Sequence, residues 1–75
     1  MIAHFFGNIG VAVVKLDSPL KVGDTIRIKG HTTDFTQKVD SMQIEHEKIT
    51  EAKLGDDIGL KVMDKVHEKD KVYRL

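Results

Sequence analysis

The 75 residues are enough for one domain, 1–75, and a core this small gives a short chain only marginal stability, because little of its surface can be buried. Twelve basic and twelve acidic side chains cancel, with four histidines over. That balance excludes a strongly basic nucleic-acid binder, so any RNA contact must rest on a local patch. Cysteine is absent, which removes disulfide staples and zinc–thiolate sites and fits a reducing, cytoplasmic setting.

The apolar run 9–14 is far too short to cross a bilayer, and Met1-Ile2-Ala3-His4 lacks the basic start of a signal peptide. No membrane association is therefore expected. Alternation of period two, punctuated by glycine, dominates the chain. Phe5-Phe6-Gly7-Asn8 leads into a first strand over 9–16 that is apolar on both faces, with Gly10 and Ala12 on the same side as Val14 and Leu16. Asp17-Ser18-Pro19 ends it, since proline has no amide to give a ladder.

Lys21-Val22-Gly23-Asp24 reads as a tight turn, with Gly23 free to take positive φ. Thr25-Ile26-Arg27-Ile28-Lys29 continues as an alternating strand, Ile26 and Ile28 inward, and Gly30 ends it. His31-Thr32-Thr33-Asp34 reads as a polar loop. The long strand 35–44 changes parity midway, and a β-bulge at Asp40-Ser41 would put Val39, Met42 and Ile44 on one side. Ile49 and Ala52 are the next anchors, and only 47–54 has any helical pattern. Leu54-Gly55-Asp56-Asp57 is another glycine turn, before the strand Ile58 to Met63 and a last strand over 71–74. About six short strands with regular turns predict an all-β fold, a small closed or nearly closed barrel. Its expected core is Val11, Val13, Ile26, Ile28, Val39, Met42, Ile44, Ile58, Leu60, Val62 and Val72.

Chemistry is sparse. Ser18 and Ser41 lie in a proline turn and at the bulge, neither in a Gly-x-Ser-x-Gly elbow. No glycine-rich loop ends in Gly-Lys-Ser/Thr, so nucleoside triphosphate is not an expected ligand. His4, His31, His46 and His67 are too scattered for the close ligand spacing of a zinc site, and Asp56-Asp57 is better explained by turn chemistry. The sequence therefore predicts no metal, no cofactor and no catalytic residue. Two binding surfaces remain. Arg27, Lys29 and, on the neighbouring strand, Lys38 form an outward cationic stripe that would hold phosphates, or would serve as an ordinary solvated sheet face. Phe5 and Phe6 are adjacent, so in a strand they point to opposite sides, one capping the core and the other contacting a partner; alternatively both fold under a loop and serve only as caps.

The ordered set of turns carries a resemblance. Pro19-Leu20-Lys21-Val22-Gly23-Asp24-Thr25-Ile26-Arg27-Ile28-Lys29-Gly30 resembles the opening of the second domain of translation GTPases such as elongation factor Tu. Val39, Ser41, Met42 and Gln43, then Ile49, Ala52, Gly55-Asp56 and Ile58-Gly59-Leu60, are similar to that family's next hairpin. The chain also resembles free-standing translation elongation factor-like proteins and the barrel that ends some collagenase-like peptidases. The resemblance implies a six-stranded Greek-key-like β-barrel without its GTPase domain. The positions that would face an aminoacyl end fall on Gln43 and His46, which do not match, and the family's Gly-Asp before the last strand is replaced by Glu68-Lys69-Asp70, which predicts a different turn there.

Two functions are consistent with these residues. One is a non-catalytic translation-factor-like module that touches tRNA or ribosomal RNA through Arg27, Lys29 and Lys38. The other is an accessory module that docks on an enzyme, or on its own copy, through the Phe5-Phe6 end.

Overall fold

The computed structural model describes residues 1–75 and is all-β, with no helix. Ten strands run in order: β1 (Ile2–Phe6), β2 (Val11–Lys15), β3 (Leu20–Lys21), β4 (Thr25–Lys29), β5 (Asp34–Lys38), β6 (Met42–Ile44), β7 (Glu47–Ile49), β8 (Glu51–Ala52), β9 (Asp57–Lys61) and β10 (Lys71–Arg74). Their ladders make three sheets, ordered β1-β2-β9-β6-β7, β10-β4-β5 and β3-β8, rather than one closed ring. The segment 47–54, the one stretch with a helical pattern, forms the short strands β7 and β8. It is too short to stabilise a helix on its own, and Ala52 is instead buried opposite Leu20 in the β3-β8 pair.

All three sheets contribute to one core. Ile26 and Ile28 enter it from β4, Val14, Ile58, Leu60 and Met42 from the five-stranded sheet, and Leu20 and Ala52 from the smallest one. Each buried aliphatic side chain of this kind stabilises the fold by about 1.5–3 kcal/mol relative to exposure. Ile44 and Val72 are half-buried against this cluster, while Ile2 and Val66 join it although the alternation pattern does not mark them.

The long strand expected over 35–44 is two strands. β5 pairs with β4, and β6 pairs with β9 in another sheet. Val39 and Met42 are both buried across the break, so a change of sheet brings them to the same side, the result expected of the bulge. Gln37 closes the seam. Its buried amide donates to the carbonyls of Lys38 at 3.1 Å and Lys61 at 3.0 Å, and its oxygen accepts from the Met63 N–H at 2.8 Å. One side chain thus replaces the backbone ladder that β5 and the end of β9 do not make.

The facing of β2 corrects the expected core. Ala12, Val14 and Leu16 are buried, whereas Val11 and Val13 face outward and are half-exposed. With both sides of β2 apolar, its neighbour decides the register. In β9 only Ile58 and Leu60 can enter a core, and β2 pairs Val14 with Ile58 and Ala12 with Leu60. The larger valines are thereby turned to the surface.

Three turns share one geometry. In 21–24, 53–56 and 67–70 the fourth residue is an aspartate whose N–H returns to the first residue's carbonyl, at 3.1, 3.0 and 3.1 Å. Its Oδ2 accepts from the first residue's N–H at 3.0, 2.9 and 2.8 Å. The third residue has positive φ in each: Gly23 at 96°, Gly55 at 90° and Lys69 at 74°. The last turn lacks glycine and is expected to differ. It keeps the geometry by placing a lysine in the left-handed region.

Candidate functional site

Arg27, Lys29 and Lys38 do share the outer face of the β10-β4-β5 sheet, but Arg27 is not free. Asp34, expected in a loop, begins β5 and lies beside it: Arg27 Nε donates to Oδ1 and Nη2 to Oδ2, both at 2.8 Å. This bidentate pair holds the Asp34 carboxyl below its usual range and raises the guanidinium above its own. Lys29 lies directly opposite Asp34 in the register, so the stripe carries its own counter-charge.

The other face is built differently. Phe5 is half-buried against the core, while Phe6 is 43% exposed and meets the His4 ring edge-on, centroids 4.4 Å apart. Phe6 pairs with Val11, and Val13 with Gly59 across β9. Phe6, Ile9, Val11 and Val13 therefore make an apolar floor on the outer face of the five-stranded sheet, in a groove of about 410 Å³. Gly59 keeps that floor low: the Gln43 side chain lies across it, where a Cβ would meet Gln43 Cγ at 3.0 Å. Glu45, His46 and Asp57 stand at the other end of the groove.

Glu45 and His46 are the two central residues of the β6–β7 hairpin, at φ 50° and 67°. Two successive positive φ values define the mirror-image turn that matches strand twist, normally made by Asn-Gly. Nothing in Glu-His signals it, and by residue type the segment is only a polar loop.

One polar cluster superficially suggests catalysis. Thr33 Oγ1 lies 3.1 Å from His67 Nδ1, and Asp70 Oδ2 lies 3.8 Å from that same nitrogen. A relay needs hydroxyl and carboxylate on opposite ring nitrogens. Here both crowd one, and Thr33 is buried, so the cluster fastens turn 67–70 to the loop after β4. His4 pairs with Glu68 at 3.3 Å. No three His, Cys, Asp or Glu side chains gather as a metal-holding group. No helix is long and apolar enough to cross a membrane.

No protein-family model matches the chain. Over 75 residues it is 41% identical to an uncharacterized protease of Methanocaldococcus jannaschii, a match that covers 99% of this chain and 18% of that protein. Over 73 residues it is 38% identical to a collagenase of Porphyromonas gingivalis, covering 95% of this chain and 20% of the relative. The chain thus spans about a fifth of the length of the curated relatives it matches. Among solved structures it resembles the C-terminal domain of a Geobacillus thermoleovorans protein assigned to the U32 peptidases, with TM-score 0.92 and 17% identity, covering 99% of this chain and 86% of that one. A selenomethionine variant of the same domain gives TM-score 0.89 at 18% identity, covering 95% and 90%. At such identity the likeness shows the fold.

These findings correct the functional reading. The resemblance to the second domain of translation GTPases is overturned, because the sequence relatives are named as a protease and as collagenases. The translation-factor-like, RNA- or ribosome-associated module falls with it. The expectation that the chain is not an enzyme is corrected on the same ground, since the relatives are named as a protease and as collagenases. The reason is physical: turns of the Lys-x-Gly-Asp type specify how strands are joined, and such a scaffold carries unrelated functions.

Proposed function

We propose that this chain is the small β domain of a U32-type peptidase, and that it presents to polypeptide the apolar groove beside Phe6. The observation that carries this reading is 41% identity along 99% of the chain with a protease. The P. gingivalis collagenases and the fold of the G. thermoleovorans domain support it. All 75 residues act as one domain, and its three sheets are the walls of a Greek-key-like barrel. Their shared core of 14 buried residues supports that finer description. Phe6 is the partner contact, and Phe5 beneath it is the anchor that fixes β1 to the core.

The test is a chimaera of the P. gingivalis collagenase in which this chain replaces the matching 73-residue segment, beside a variant in which the segment is deleted. Collagen cleavage by the chimaera, and its loss on deletion, is the expected outcome. A folded chimaera without cleavage would overturn the reading.

A further inference from the structure

The groove has two unlike ends. Phe6, Ile9 and Val11 form the apolar end, and β2 runs from there through Val13 to Lys15, opposite Asp57. Glu45 lies on the neighbouring β6–β7 turn. From Val11 to Lys15 is four residues, roughly 13 Å at about 3.3 Å per strand residue. The carboxylates at the far end are uncommitted: neither Glu45 nor Asp57 enters any of the chain's three ion pairs, and Lys15 does not close on Asp57. The cation nearest the apolar end is occupied, since Lys61 Nζ donates to the Ile9 carbonyl at 2.8 Å. Two negative charges therefore face solvent, one groove-length away from an exposed apolar floor.

From this charge arrangement we infer that the groove takes an extended polypeptide segment bearing an apolar side chain and, about four residues on, a lysine or arginine. In an extended peptide, residues i and i+4 lie on one face at that same separation, roughly 13 Å. The apolar side chain rests on Phe6, Ile9 and Val11, and the cation reaches Glu45 and Asp57. The inference rests on the peptidase-domain reading and names the polypeptide that its groove selects.

The experiment titrates the isotope-labelled chain with the synthetic peptide acetyl-Leu-Ser-Gly-Ser-Arg-amide and monitors backbone amides by NMR. Shifts at Val13, Gly59 and Glu45 are expected, with a dissociation constant on the order of 1 mM for so few contacts. Glutamate in place of the peptide's arginine should weaken binding by roughly five- to tenfold, the scale of two exposed ion pairs turned repulsive. Glu45→Lys combined with Asp57→Asn should reverse that preference, and Phe6→Ser should weaken both peptides alike. Shifts confined to the β10-β4-β5 face, no shifts at all, or no preference between the two peptides would overturn the inference. Groove amides that shift with protein concentration alone would also overturn it, by assigning the groove to a second copy. A working collagenase chimaera without peptide selectivity would remove this inference and leave the domain reading. Selective binding by this chain with an inactive chimaera would do the reverse.

Discussion

In turn 53–56 the positive φ of 90° falls on Gly55, and a Cβ added there would meet nothing within 4 Å. In turn 67–70 the same place in the same hydrogen-bonded frame is held by Lys69 at 74°. The aspartates that close them differ as well. Asp56 is half-exposed, whereas Asp70 is buried, with its carboxylate lodged against Gly30. Each turn also tethers a strand: the Gly55 N–H donates to the Leu16 carbonyl at 2.9 Å, and the Asp56 carbonyl accepts from the Leu16 N–H at 3.0 Å, just past the end of β2. The Lys69 N–H donates to the Ile2 carbonyl at 2.8 Å, and the Asp70 carbonyl accepts from the Ile2 N–H at 2.7 Å, which fixes the start of β1. β1 in turn carries Phe6 to the groove. A left-handed lysine costs roughly 1 kcal/mol relative to glycine. Surrounding contacts must over-determine the turn for it to persist, and here they are Thr33, His67, Asp70 and Ile2. With the same backbone tether in both, equal geometry therefore rests on glycine's conformational freedom in one turn and on the added contacts of Thr33, His67 and buried Asp70 in the other.

The contrast breaks most severely at Gly30. A Cβ there would overlap the Asp70 carboxylate, which is buried and already held by the His67 N–H, so it has no open space to retreat into. Gly30→Ala should cost about 3 kcal/mol, the upper part of the range for overpacking a filled site. Urea denaturation checks this. A variant whose unfolding midpoint matches the parent's would mean that Asp70 is not fixed.

Removing the aspartates measures the same difference at smaller scale. Asp70→Ala leaves the part-buried His67 N–H without its acceptor and should cost about 2 kcal/mol, whereas Asp56→Ala at the exposed turn should cost about 1 kcal/mol or less. Hydrogen exchange adds a localised readout. Asp70→Ala should accelerate exchange at the Ile2 and Lys69 amides, and Asp56→Ala should leave them unchanged. Equal costs for the two substitutions would show that burial adds nothing to this turn.

The legibility of each region in the sequence obeys the same division. Where side-chain preference decides the structure, the residues suffice: Ile26 and Ile28 point inward, Gly23 and Gly55 make their turns, and Phe5 and Phe6 separate to opposite faces. Where a neighbour decides, they do not. The facing of β2 is ambiguous because an exposed apolar floor makes both of its sides hydrophobic, and only pairing with β9 turns Ala12 inward in place of Val11 and Val13. Arg27 reads as a free cation until β5 brings Asp34 beside it. Half of the groove is visible as Phe6. Its acidic end is not, because Glu45 and Asp57 are separated in sequence and meet only through the β6–β9 pairing and a hairpin turn without asparagine or glycine.

The smallest expected effect gives the sharpest comparison, since it exchanges the residues that distinguish the two turns. Lys69→Gly relieves the left-handed strain but increases the freedom of the unfolded chain, and these opposed terms leave a gain of about 0.5 kcal/mol. Gly55→Lys imposes the strain where no buried side-chain contact offsets it and should cost about 1 kcal/mol. For a domain of this size those values correspond to melting shifts of roughly +3 °C and −6 °C. The sites are independent turns with no shared hydrogen-bond partner, so the double exchange should give the sum of the two single effects to within about 0.5 kcal/mol. If Lys69→Gly instead destabilises, the lysine side chain makes a contact that outweighs its backbone strain, and the turn is held by Lys69 itself rather than by its neighbours. The peptide titration separates the two cases, because loss of such a contact would loosen β1 and weaken binding at Phe6, whereas simple relief of strain would leave the groove's affinity unchanged.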